Sequence, residues 1–254
     1  MGRTKFRAAA AAAATVIALD LVALAIPVAA AEFDGVGTLD EFVSALEDAN
    51  TNGEADTITV SVDAEQIWSY PGTLAIGEDL TIQLAPDSAT VTFTSSDASA
   101  VTVAAGVRLT ARGVGFRGVG GHGIDASDGA DITLTDVRLS QSSGNGLTQV
   151  GGTLNLTGVR AAGNAVGIQV SDVDSAQFSG VDASANRGTG LALVIPGGEV
   201  LIQDSNFDGN GNSGVRLTAS DAATITIQGS SISYTAPTTA PGCGSATSSA
   251  RAPR

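Results

Sequence analysis

From Arg108 to Ser140 the chain reads RLTARGVGFRGVGGHGIDASDGADITLTDVRLS, and this stretch decides the fold. Its phrase is a short apolar pair, a turn, a second apolar pair and a Gly/Asn-rich turn, and the phrase recurs as far as Ile232. With Ala111, Leu134, Leu156, Phe178, Ile202 and Ile227 taken as equivalent, the steps are 23, 22, 22, 24 and 25 residues. That is the period of a repeat architecture and not of a closed globular core. Apolar or small residues stand at each anchor, two before it, and three and five after it. Alternation at spacing two means strand. The wider gap after the anchor breaks the alternation, as a sharp corner between two short strands requires if both are to face one axis.

A third apolar patch follows in every rung, at Ile124, Leu147, Ile168 with Val170, Leu191 with Leu193, and Val215 with Leu217, each preceded by Gly. Asn164, Asn186 and Asn210 stand just before this third strand, where Gly and Asn tolerate positive φ at least cost. Asn in stacked turns also bonds its counterpart in the neighbouring coil. Three short strands per turn with no helical periodicity between them predict an all-β parallel β-helix over residues 58–233. Counted from Ile58 the chain supplies roughly seven coils, a rod on the order of 35 Å long at ordinary strand spacing.

Residues 1–31 read as an export signal. Arg3, Lys5 and Arg7 precede an apolar stretch from Ala8 to Ile26, and Ala29-Ala30-Ala31 precede Glu32. Cleavage after Ala31 removes three basic residues and one acidic residue from totals of 12 and 26. The remainder has nine Arg, 25 carboxylates, no Lys and a formal charge of −16. Such a surface repels nucleic acid and anionic membranes at long range, and it repels polyuronate unless divalent cations bridge the charges. Secretion, or residence in the cell envelope, is expected, with no membrane span once the signal is removed. Residues 32–57 read as an N-terminal cap. Thr38 is the N-cap, Glu41 completes a capping box, and Leu39, Phe42, Val43 and Leu46 share one face of a helix that seals the first coil. Residues 234–254, rich in Thr, Ser, Ala, Pro and Gly, read as a disordered tail. The tail carries Cys243, the only cysteine, so no intrachain disulfide forms.

The string TLDEFVSALEDANTNGEADTITV, Thr38 to Val60, resembles the N-terminal segment of bacterial right-handed parallel β-helix repeat proteins. That group lies in the pectin-lyase-like superfamily and includes adhesin-like and polymorphic outer-membrane-type surface proteins. Ala49, Asn50, Gly53, Asp56, Thr57 and Ile58 carry the likeness. The resemblance implies a right-handed helix and an extracellular or envelope life. It implies no single activity, because this scaffold hosts lyases, hydrolases, epimerases and inert adhesins.

His122, the only histidine, lies in a Gly-His-Gly string that looks like a motif of polygalacturonase-type hydrolases. Inverting hydrolysis needs an acid and a base carboxyl about 6.5–9.5 Å apart. That family's Asn-Thr-Asp, Asp-Asp and Arg-Ile-Lys strings are missing here, and the alternative is a solvent-facing turn histidine. Asp125 and Asp128, with Asp131 and Asp136, offer oxygen ligands for a weak Ca²⁺ site, and Arg108, Arg112, Arg117 and Arg138 lie in the same and neighbouring coils. Asp125 and Asp128 fall in the turn after the third strand and Asp136 in the bend between the first two, so different corners are expected. Asp172 and Asp221 occupy turns comparable to that of Asp128. Trp68 and Tyr70, at spacing two, are the only candidate aromatic platform for a sugar; sealing the first coil is their other reading.

Dense chemistry is absent from these motifs. The leading expectation is a secreted, monomeric, non-enzymatic structural or adhesive module without a required cofactor, its partner a cell-surface glycan or envelope component. The runner-up is a polysaccharide lyase or glycoside hydrolase using His122, Asp125 and Asp128. A truncated fragment, with an uncovered last coil at Ile225, Ile227 and Ile232, is the third.

Overall fold

Each anchor pairs with its predicted equivalent. Ala111 lies beside Leu134, Leu134 beside Leu156, Leu156 beside Phe178, Phe178 beside Ile202, and Ile202 beside Ile227, all in parallel register. The computed structural model describes residues 30–220 and 223–233. All but the last two residues of the predicted signal, Asp221, and the tail with Cys243 lie outside the described residues.

Three parallel sheets wrap one apolar axis. The first has nine strands: Glu32–Val36, Asp56–Val60, Leu80–Leu84, Arg108–Arg112, Asp131–Thr135, Thr153–Thr157, Ser175–Ser179, Gly198–Gln203 and Ala223–Gln228. The second has five, from Gln66–Tyr70 to Arg160–Ala162, and continues as single bridges through Asp182, Asn206 and Ser231. The third has seven, from Leu74–Ile76 to Val215–Ala219. Eight spacings in the first sheet make a rod of about 38 Å. The extra coil is opened by Glu32–Val36, a strand within the segment expected to be cap; it pairs with Asp56–Val60 through an irregular register around Gly35.

The corner after each anchor has a backbone cause. Two residues beyond it, Gly113, Asp136, Gly158, Gly180, Asp204 and Gly229 all take positive φ, which turns the chain while both flanking strands keep an apolar face inward. The glycine before the third strand has a different cause, close approach. A Cβ on Gly123, Gly146 or Gly167 would sit 2.5 Å from the carbonyl oxygen of Gly146, Gly167 or Gly190 in the next coil. The asparagines do not take the left-handed conformation expected of them; the residues just before, Gly163, Ala185 and Gly209, take it instead. The buried Asn side chains form the expected ladder. Asn164 N–H donates to Asn186 Oδ1 at 3.0 Å and Asn186 N–H to Asn210 Oδ1 at 2.9 Å. Their Nδ2 groups satisfy the Leu139 and Ala161 carbonyls, so the turn interior carries paired polar groups.

Helix α1, Leu39–Ala49, closes the first coil. Thr38 Oγ1 accepts the Glu41 N–H, and Glu41 Oε2 accepts the N–H groups of Thr38 and Gly37, which completes the capping box. Phe42 drops into the solenoid axis, its ring 4.5 Å from Phe93 and 6.0 Å from Trp68. Asn50 fastens the helix end by donating to the Ala75 carbonyl and accepting the Gly77 N–H. Among the described residues no helix is long and apolar enough to cross a membrane.

Candidate functional site

Strand alternation turns Asp125, Thr148 and Gln169 outward from the third sheet, in one register column. His122 lies in the turn that leads into this column and is half-buried, not free in solvent. Its Nδ1 accepts the backbone N–H of Asn145 at 2.9 Å and stands 3.3 Å from the Thr148 hydroxyl. Acceptance at Nδ1 puts the proton of the neutral ring on Nε2. Asn145 Nδ2 extends the network to Thr148 at 3.0 Å and to Gln169 at 3.1 Å. The main chain of His122 is tied down as well: its N–H donates to Ser99 Oγ and its carbonyl accepts the Ala100 N–H. One polar cluster therefore spans three coils. Asn145, Thr148 and Gln169 were not singled out in the sequence because only coil stacking brings them to His122.

The four carboxylates of the candidate Ca²⁺ group separate. Asp125 stands in the third sheet, beside Thr148; Asp128 is exposed in the following turn; Asp131 lies in the first sheet, where it accepts from the Thr153 N–H and hydroxyl; and Asp136 takes the corner. Only Asp125 shares a face with His122. Among the described residues no group of three or more His, Cys, Asp or Glu is placed to hold a metal ion.

Trp68 is not an exposed platform. It is 5% exposed, its indole meets Phe93 edge-on at 5.4 Å, and its Nε1–H donates to Gln66 Oε1. Tyr70 is half-buried against the same core, so this pair offers a sugar at most the Tyr70 edge beside Leu39, Val43 and Pro71. The alternation holds, but the shared face is the inner one: Trp68 pairs with Phe93 and lines the solenoid axis, where Phe42 of α1 packs beside it, while Ile67 and Ser69 face outward.

The family model described as a right handed beta helix region matches residues 90–251. The chain belongs to the right-handed β-helix family. No curated protein and no solved structure matches it.

A β-helix places residues one period apart in columns, and one column was missed. Arg138 and Arg160 both follow the valine three residues past an anchor, in Val-Arg-Leu-Ser and Val-Arg-Ala-Ala, and the structure pairs them directly across adjacent strands of the second sheet. The signal was present in the aligned rungs. Its meaning depends on a groove that the β-helix turns build beside it.

Proposed function

We propose that this protein is a non-enzymatic binding or structural module, exported to the cell surface or the medium, that presents the sides of a short rigid rod to a glycan or envelope component. The observation that carries this reading is an outward column of uncharged, mostly polar side chains running through eight of the nine strands of the first sheet. Thr57, Thr81, Thr110, Thr133, Asn155, Gln177, Leu201 and Thr226 follow one another in unbroken register. A flat, mostly neutral polar face of this kind suits recognition by repeated hydrogen bonds, and it is built entirely on rigid strands. His122 spends its Nδ1 lone pair on the Asn145 amide, and only one carboxylate shares its face. Two-carboxylate glycoside hydrolysis asks for more than that.

The test is a depolymerisation screen of the purified protein on neutral glycans and polyuronates, with and without Ca²⁺, read as new reducing ends and unsaturated products. Silence across the panel, together with retention of the protein on at least one insoluble glycan or envelope preparation, is expected. Cleavage that disappears in His122→Ala or Asp125→Asn would overturn the proposal and make the His122 cluster an active site.

A further inference from the structure

We propose that the outer face of the second sheet holds a site for a small ligand carrying a tetrahedral oxyanion, phosphate or sulfate, gripped between Arg138 and Arg160. The inference rests on reading the protein as a binding module and names the chemistry that one of its faces recognises.

Basic residues are scarce in this chain and unevenly placed. The described residues contain seven arginines and no lysine. Arg138 and Arg160 are neighbours in register, one strand spacing apart, and both are exposed. Gly115, the partner of Arg138 in the coil below, belongs to the strand that carries Arg117 on its outward side two residues on. Arg187, from the turn before the third sheet, reaches back to donate to the carbonyls of Gly163, Ser142 and Ser143. Those are neutral acceptors, so its charge stays at the edge of the same face. Four of the seven arginines thus gather here, on a protein whose net charge is −14.

Like charges directly opposite in a sheet destabilise it, and the local carboxylates do little to relieve them. Arg138 makes no ion pair or side-chain hydrogen bond among the described residues. Arg160 has one loose contact, Nε to Asp182 Oδ2 at 3.8 Å, which is longer than a hydrogen bond. The Nε of Arg117 is buried with no partner. Beside Arg138 and Arg160 lies a groove of about 500 Å³, whose other walls are Ser140, Gln141, Ala162, Gly163 and Ala185. Small side chains at Ser140 and Ala162, two residues further along the same strands, and Gly163 after them keep the groove low beside the two arginines.

The geometry selects among anions. A carboxylate is saturated by one guanidinium fork, whereas two forks arriving from adjacent strands match the three or more oxygens of a phosphate or sulfate. A long polyanion is repelled by the acidic remainder of the surface, while a compact ligand feels mainly the local arginines. The groove is larger than a bare oxyanion and falls within the ordinary range of small-ligand pockets, roughly 300–1,000 Å³. The ligand is therefore an oxyanion on a body the size of a sugar.

Inorganic phosphate, inorganic sulfate and acetate are titrated separately into the purified protein at low ionic strength, by calorimetry and by thermal denaturation. Saturable one-to-one binding of phosphate or sulfate is expected, at least tenfold tighter than acetate, with a rise in Tm. Arg138→Gln/Arg160→Gln should weaken binding at least tenfold and remove the Tm response; Arg216→Gln, on the third sheet, should leave both unchanged. Both variants change exposed side chains, and an unaltered far-UV spectrum confirms that they fold. Absence of saturable binding, acetate binding as tightly as the tetrahedral anions, or equal weakening by Arg216→Gln would each overturn the proposal. Because the readout needs no turnover, glycan cleavage would sink the non-enzymatic reading without touching this result, and failed anion binding would leave the flat threonine face intact.

Discussion

The two ends of the rod are built from similar residues and finish in opposite conditions. At the first coils, Phe42 is completely buried and closes over Phe93 and Trp68, themselves 1% and 5% exposed. At the last coil, Ile227 is 45% exposed, although Ile202, its register partner one coil earlier, is fully buried. Residue type is the same and column is the same; only the neighbour above differs. Burial in a solenoid is thus a property of the stack, and an end coil reaches core-like burial only where non-repeating sequence covers it. Residues 38–50 do this at the first end. Among the described residues the last coil has no equivalent, and Leu217, Ile227 and Ile232 remain partly in solvent.

The strongest way to break this comparison is Phe42→Ala. Removing a fully buried aromatic ring from a packed cluster costs about 3–5 kcal/mol, because neither Trp68 nor Phe93 can move into the space without leaving its own coil. Chemical denaturation should show that loss, and near-UV circular dichroism should show Trp68 released from its asymmetric surroundings. A variant within about 1 kcal/mol of the wild type would mean that α1 is an ornament and that the coils close themselves.

The same comparison explains what could be read from the chain and what could not. Coil register was legible because every anchor repeats its local pattern, and the corner residues and the glycines before the third strand repeat with it. The cap helix was legible from Thr38, Glu41 and its apolar stripe. For Trp68 the sequence left platform and seal both open, because alternation puts Trp68 and Tyr70 on one face without saying whether that face is the inner one; register beside Phe93 decides for the seal. Glu32–Val36 was missed for a related reason: EFDGV has only Phe33 and Val36 as apolar signals, and its pairing bends around Gly35. The position of His122 in its turn was legible, but its role was not, since the Asn145 amide that engages it comes from the next coil. The corner position of Asp136 followed from the repeat alone, but Asp125, expected beside Asp128 in the turn after the third strand, stands within that strand, Ile124–Ala126, and the groove beside Arg138 and Arg160 needed the turn through Gly163 and Ala185 to be seen.

A smaller effect is expected from the entry to the cap. Thr38→Ala should cost about 1 kcal/mol through loss of the N-cap hydrogen bond. Glu41 adds a pH dependence of known sign. Hydrogen bonds from the Gly37 N–H, then from the Thr38 side chain and N–H, hold its carboxyl below the usual value of 4.5. The folded pKa is therefore depressed. Its contribution is fully present above pH 4.5 and is lost as the pH falls through the folded value. Comparing urea midpoints of wild type and Glu41→Gln across that window should give curves that converge at low pH. A constant offset from neutral to pH 3 would show that the box contributes through geometry alone.

The smallest change is expected at the other end. Ile227→Thr keeps the β-branched shape that suits a strand and places a hydroxyl where the side chain already meets water, so stability should move by no more than about 0.5 kcal/mol. The same replacement one coil inward, Ile202→Thr, buries a hydroxyl at a fully buried position and should cost several times as much. Hydrogen exchange gives the matching dynamic measurement, because amides in Ala223–Gln228 lie at the edge of the first sheet and should open at lower free energy than those of Asp56–Val60. Equal protection at both ends, or equal cost for the two threonine variants, would mean that the last coil is covered after all, and the asymmetry of the rod would then belong to its sequence and not to its packing.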